Sequence, residues 1–181
     1  LLAQRFSREV VQAFLALKPY AYRADLARYC VMHAHGGVYA DLSYFLLRPL
    51  PLEPRRLVVF RDFLWSSPWD ASNGVIAAPP GHRVFERAIE MVCANVRRGY
   101  LGPTPLCPTG PALFGQALAM GCEAQDLVTG AAALIERPIL KTLVPRVELP
   151  ADDRLHALVL GQDVVAIKRK RMGSAGLAGF G

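Results

Sequence analysis

Apolar residues recur at helical spacing over residues 7–17, where Val10, Val11, Phe14 and Leu15 share a side, Ser7 stands as a cap and Pro19 as a stop. A second helix is predicted over 22–35, with Leu26, Tyr29, Cys30 and His33 on one side and Gly36-Gly37 at its C-terminal cap. A short strand at 38–40 then delivers Asp41 at its end, and the apolar runs 57–60 and 74–78 read as buried strands. Residues 82–98 repeat Val84, Phe85, Ala88, Ile89, Val92 and Val96 on one helical face, which should cover the sheet. The Pro-rich stretch 102–108 reads as a loop, and Thr109-Gly110-Pro111 opens a helix carrying Leu113, Phe114, Ala117 and Leu118. Segments 132–135, 143–149, 155–160 and 164–167 look strand-like, so helices and strands interleave in an α/β fold.

With 181 residues, 52% of them hydrophobic, the chain has enough apolar surface for one core, and we read one domain over 1–172. The Gly-rich finish, 173–181, is expected to be a flexible tail or a loop that covers a ligand. No apolar run reaches the ~18 to 20 residues needed to cross a bilayer, which predicts a soluble, cytoplasmic chain. The net charge of +6 favours an anionic partner and permits peripheral contact with a membrane. Its densest patch, residues 168–171, follows an apolar run and reads at least as well as a solvated strand end. The remaining cations are scattered rather than interleaved with aromatics, so nucleic acid is not the expected partner. Cys30, Cys93, Cys107 and Cys122 lack CxxC spacing, which predicts free thiols and a reducing compartment.

The chemistry concentrates in residues 21–44. Asp25 and Arg28 are three apart and flanked by Ala24, Leu26, Ala27 and Tyr29, so on a helix they share a face in apolar company. Alone, the pair reads as a surface ion pair. Asp41 shifts the balance, because it leaves a strand directly after a diglycine turn, where α/β sheets collect ligands. A carboxylate there suits a divalent cation, Mn²⁺ or Mg²⁺, shared with a diphosphate, since hard cations take oxygen ligands.

Ala-Asp-x-x-Arg-Tyr (24–29), Gly-Gly-Val-Tyr-x-Asp (36–41) and Leu-Arg-Pro-Leu (47–50) together resemble the glycosyltransferases whose sugar-binding region contains a DXD motif. That group is family 32, with initiating α-1,6-mannosyltransferases and transferases of bacterial capsule and lipopolysaccharide biosynthesis; large glucosylating toxins share its core. The close match covers about residues 21–50, and residues 73–82 and 109–111 resemble later blocks more loosely. The resemblance implies a GT-A-like fold (Rossmann-like, a nucleotide-diphospho-sugar transferase), a UDP or GDP sugar donor, usually Mn²⁺, a saccharide or glycan acceptor, and retained anomeric configuration. It implies that Asp25 and Arg28 contact the donor sugar and phosphate, that Asp41 is the first DXD acid, and that Asn73 lines the donor pocket. Gly37 and Tyr39 would shape the turn presenting Asp41. Ser43 stands where the family carries the second acid, leaving Asp41 and Ser43 as the metal set. Compensation by Asp62 or Asp70, reduced metal dependence, and impaired catalysis all follow as readings of that change. The family's base-holding first strand and its closing His- or Trp-bearing segment are not visible here, so the domain reads as partial at both ends. The basic run 168–171 and Gly173-Ser174 are alternative phosphate contacts.

Other groups weigh less. His33 and His35, two apart on a helix, point away from each other, and His82 and His156 have no ligand partner at useful spacing. Trp65 and Trp69, with Phe63, Ser66, Ser67, Pro68 and Asp70, form an aromatic loop equally suited to stacking on a sugar and to sealing the core. Ser43, Ser66 and Ser67 lack the setting of a hydrolase nucleophile. The principal rival is a non-catalytic module of the same fold that binds a nucleotide sugar or polyanion.

Overall fold

The computed structural model describes residues 1–61, 70–149, 151 and 154–168. Three helices open the chain: α1 (Leu2–Arg5), α2 (Arg8–Ala16) and α3 (Tyr20–His35). Strands β1 (Gly37–Ala40), β2 (Tyr44–Leu46), β3 (Leu57–Arg61) and β4 (Ala71–Ala78) follow, then helices α4 (Arg83–Arg98) and α5 (Pro111–Gly121). The last part comprises β5 (Leu127–Glu136), α6 (Arg137–Leu143), β6 (Arg154–Leu160) and β7 (Asp163–Lys168). The strands form one seven-stranded mixed sheet in the order β1-β4-β3-β5-β6-β7-β2, with β3 and β5 parallel and the other neighbours antiparallel.

Period-two alternation sorts the central strands between two cores. Leu57, Val59, Ile76 and Ala78 face the helices, packing with Leu26, Tyr29, Phe85 and Phe114. Val58, Phe60, Val75 and Ala77 face the opposite side, against Leu50, Leu158, Val165 and Ala166. Every residue of β4 is buried, as expected of a strand covered on both faces. Four helices carry the first core, and the amphipathic α4 buries the face predicted for it.

β1 and β2 stand at opposite ends of the sheet order, yet only residues 41–43 separate them in the chain. The sheet therefore curls until its two outer strands approach each other, and the short segment bearing Asp41 and Ser43 bridges the seam.

Several expectations are corrected. Residues 143–149 are not a strand: they are the end of α6 and an irregular run closed by Val144 N–H donating to Leu140 O at 2.9 Å and Val147 N–H to Val144 O at 3.1 Å. Pro138, with its φ preset for a first helical turn, starts that helix. Leu140 and Leu149 are buried against Leu155 and Ile167, so the apolar run belongs to a third core rather than to a strand. The segment 132–135 is the second half of the longer β5, and β2 was not predicted. All four cysteines are free; Cys30 and Cys93 are buried, and burial pushes the Cys30 thiol up to about 12. Among the described residues no helix is long and apolar enough to cross a membrane. The Gly-rich stretch 173–181 lies outside the described residues.

Gly36 fixes the passage from α3 into β1. Its φ of +61° with ψ of −150° is a conformation that other residues rarely adopt, and its N–H closes the helix on Met32 O at 2.8 Å. A Cβ there would lie 2.7 Å from Ala78 O and 2.6 Å from Pro79 C. Backbone strain alone costs about 1–3 kcal/mol at such a position, and the close approach adds to it. Gly36→Ala is expected to lower the urea unfolding midpoint markedly, whereas Gly81→Ala, also at positive φ but with open space around it, is expected to cost less; equal losses would refute the packing argument.

Candidate functional site

Helix α3 presents Asp25, Arg28 and Tyr29 on one face because residues three and four apart are neighbours on a helix. That face meets Asn73 of β4, Asp41 just past β1, and Thr109 just ahead of α5. The surface-pair reading of Asp25 and Arg28 fails, for their side chains are 13% and 7% exposed. Arg28 Nη2 lies 3.5 Å from Asp25 Oδ1 and 3.1 Å from Asp41 Oδ1. Arg28 Nη1 donates to the backbone oxygen of Asn73.

Neutral groups complete the network. Asn73 Nδ2 donates to Asp25 Oδ1 and to the Tyr29 hydroxyl, both at 3.0 Å. Thr109 Oγ1 donates to Asp25 Oδ2 at 2.8 Å, and the Tyr29 hydroxyl donates to Thr109 O at 2.8 Å. Tyr39 donates its hydroxyl to Asp41 Oδ1 at 2.7 Å while its ring lies under the Arg28 guanidinium, 4.5 Å from the centroid. Tyr39 thus holds both partners of one ion pair. Gly37, at φ +91°, starts β1 without contacting the network.

Electrostatics follow from burial. Desolvation raises the Asp25 carboxyl to about 6, although Arg28, Thr109 and Asn73 all favour its ionised form and Asp41 opposes it. Burial, with the hydrogen bond to Asp41, raises the Tyr39 phenol to about 12. Tyr29, fully buried, is pushed still higher by desolvation. Both tyrosines therefore stay protonated donors at neutral pH.

Asp41 closes a turn in which its carbonyl accepts from Tyr44 N–H at 2.9 Å, with Ser43 inside the turn and half-buried. Its Oδ2 and the Tyr44 ring both crowd Gly74: a Cβ there would lie 3.0 Å from Asp41 Oδ2 and 3.1 Å from Tyr44 Cε2. Glycine is needed at position 74 for this close approach.

Among the described residues no group of three or more His, Cys, Asp and Glu is placed to hold a metal ion. Asp70 is buried just ahead of β4. Asp62, Phe63, Trp65, Ser66, Ser67, Pro68, Trp69 and the run 169–171 lie outside the described residues. His82 caps α4 instead of binding a ligand, its Nδ1 accepting from Val84 N–H at 3.3 Å. The structure thus brings together Asp25, Arg28, Tyr39, Asp41 and Asn73 as a unit. Sequence reasoning missed Tyr29 and Thr109 as parts of it; Tyr29 falls one helical turn after Asp25, and that spacing was the available signal.

The raised Asp25 pKa carries a sign. Its folded-state value lies above the ordinary 3.8, so the folded protein favours protonated Asp25; the ionisation cost is absent below pH 3.8, grows up to about 6, and is fully imposed above it. Two pH units correspond to about 3 kcal/mol. Wild-type stability relative to Asp25→Asn is expected to fall by up to that amount between pH 4 and pH 7, measured by urea unfolding. Parallel pH profiles for the two proteins would refute the desolvated carboxyl.

The chain is similar to glycosyltransferases in sequence and in fold. The profile of the glycosyltransferase sugar-binding region containing a DXD motif matches residues 2–61, which hold Asp25, Arg28, Tyr39 and Asp41. A relative from Acanthamoeba polyphaga mimivirus, described as uncharacterized glycosyltransferase L373, is 30% identical over 94 residues, covering 47% of this chain and 34% of its own length. The solved PaToxG glycosyltransferase superposes with a TM-score of 0.53 at 22% identity, covering 65% of this chain and 42% of that one. The fold is therefore GT-A, as expected. The chain spans about a third of the curated relative it matches.

Proposed function

We propose that this chain forms the donor site of a glycosyltransferase that moves a hexose from a nucleoside-diphosphate sugar, UDP- or GDP-linked, to a hydroxyl of a saccharide or glycan acceptor, with retained configuration. The observation that carries the reading is the buried Asp25–Arg28–Asp41 network at the end of β1. Two carboxylates share one guanidinium, and neutral donors fix both acids. Such preorganised groups suit sugar transfer, because acceptor oxygens in a fixed array select sugar hydroxyls and resist reorienting as charge develops. Asp25 would grip hydroxyls of the donor sugar, and Arg28 would orient Asp41 and face the phosphate. Asn73 positions Asp25, and Tyr39 positions Asp41.

Mn²⁺ or Mg²⁺ in such a site would rest on Asp41, Ser43 and the phosphate oxygens, and would act as a Lewis acid on the leaving diphosphate. The donor set fits such an ion poorly. Asp41 Oδ1 already accepts from Arg28 and Tyr39, Ser43 brings an oxygen without charge, and among the described residues no group of three or more His, Cys, Asp and Glu is placed to hold a metal ion. Ser43 is also the observation that favours the second reading, a module that binds the donor without turning it over.

Thermal unfolding with UDP, GDP and their sugars tests the site. A ligand at 100 times its Kd stabilises the native state by about 2.7 kcal/mol, and that stabilisation is expected to vanish in Asp41→Ala. Release of free sugar from the stabilising donor separates the readings: turnover at least ~10-fold slower in Asp41→Asn supports the transferase, and binding without turnover supports the module. Absence of any shift with all four ligand classes, both with and without Mn²⁺, would sink the donor site itself.

A further inference from the structure

The seam of the curled sheet holds a second group of side chains beside the donor network. Tyr44 of β2 is paired directly with Lys168 of β7, and His156 of β6 lies one step beyond the Ala157–Ile167 pair, opposite Lys168. Residues opposite each other in antiparallel pairs point to the same face. The contacts agree: Lys168 Nζ lies 5.3 Å from the Tyr44 ring centroid, and the Tyr44 hydroxyl lies 3.5 Å from His156 Nδ1. The row runs directly into the donor network, since the Tyr44 ring and Asp41 Oδ2 flank the same face of Gly74.

Charge decides what this row can do. With both acids ionised, Asp25, Arg28 and Asp41 sum to one negative charge, and protonation of Asp25 brings the sum only to zero. A diphosphate approaching Asp41 therefore needs a cation from elsewhere, and among the described residues no group of three or more His, Cys, Asp and Glu is placed to recruit a divalent one. Arg28 is committed to Asn73, Asp25 and Asp41. Lys168 is exposed, basic and held beside the turn by strand pairing.

Resting on the donor reading above, the geometry points to the row Tyr44–Lys168–His156 as a phosphate subsite contiguous with Asp41, in which the Lys168 ammonium takes the place of a divalent cation at the donor diphosphate. Tyr44 directs the ammonium across its ring, and His156 stands beside the Tyr44 hydroxyl. Binding of a nucleoside diphosphate to this chain is then independent of divalent metal.

Isothermal titration calorimetry with UDP and GDP, in EDTA and again in Mn²⁺, tests this on wild type, Lys168→Ala and Lys168→Arg. One of the two nucleotides is expected to bind wild type in EDTA, with Mn²⁺ changing Kd by less than about threefold. Lys168→Ala is expected to weaken that binding about tenfold or more, the scale of one lost charge-assisted contact, and Lys168→Arg to restore most of it. Melting temperatures of the variants check that the exposed substitution leaves the fold intact. Binding that appears only with Mn²⁺, or that ignores Lys168→Ala, overturns the subsite while leaving the donor site standing. If wild type binds neither nucleotide under either condition, the donor reading fails and the subsite with it.

Discussion

A guanidinium buried between two carboxylates sets the terms for the rest of this structure. Removing the Arg28 charge from water is costly, and only groups that repay the lost hydration can hold it there. Asp25 sits on the same helix and Asp41 beyond the first strand, so the ion pairs tie α3 to the end of β1. The bond from Arg28 to the Asn73 carbonyl adds β4, and Thr109 on Asp25 adds the approach to α5. Four segments far apart in sequence therefore share one electrostatic centre. Removing Arg28 leaves two carboxylates without their shared counter-charge, which ties the integrity of the site to the stability of the fold.

The second constraint is topological. A sheet whose outer strands are consecutive in the chain, with only residues 41–43 between them, has to curl. That curl turns a short connection into the meeting point of both sheet edges, and it brings Tyr44 of β2 beside Asp41 at Gly74. Gly74 is where the two halves touch, with Asp41 and Tyr44 filling the space a side chain would need. The residues best placed for ligand chemistry thus lie at a seam where hydrogen-bonded pairing ends.

Local pattern carried much of the site. Asp25, Arg28 and Asp41 were legible because charges at helical spacing in apolar company, followed by diglycine and a strand-end acid, are unusual in combination, and Asn73 followed from the same resemblance. Thr109 and Tyr29 were not assigned roles, since a threonine before a proline reads as helix entry and a tyrosine on an apolar face reads as core; Tyr29 is in fact both, stacked on Phe114 while hydrogen-bonded to Thr109 and Asn73. β2 escaped notice because three residues carry too little periodicity, and residues 143–149 misled because an apolar run looks alike in a strand and in a helix end. The row Tyr44–Lys168–His156 is invisible to any local reading. Strand register over more than a hundred residues creates it, and nothing near His156 or Lys168 in the chain announces Tyr44.

Ser43 gives these facts a common direction. A second carboxylate in the turn would raise the negative charge beside Asp41 enough to hold a divalent cation against the repulsion of Arg28. With a hydroxyl there, Arg28 both neutralises Asp41 and disfavours an incoming cation, while the two phosphates of a donor still require compensation. In the proposed phosphate subsite a lysine would meet that need differently from a dissolved ion, because it is part of the chain and cannot be removed by chelation. Its ammonium is also a weaker Lewis acid than a divalent metal, so leaving-group departure then leans more heavily on the preorganised hydrogen bonds around Asp25 and Asp41. In the proposed site the burial that makes Asp25 reluctant to ionise and the serine at position 43 are therefore connected, because each reduces the negative charge that an anionic donor would meet.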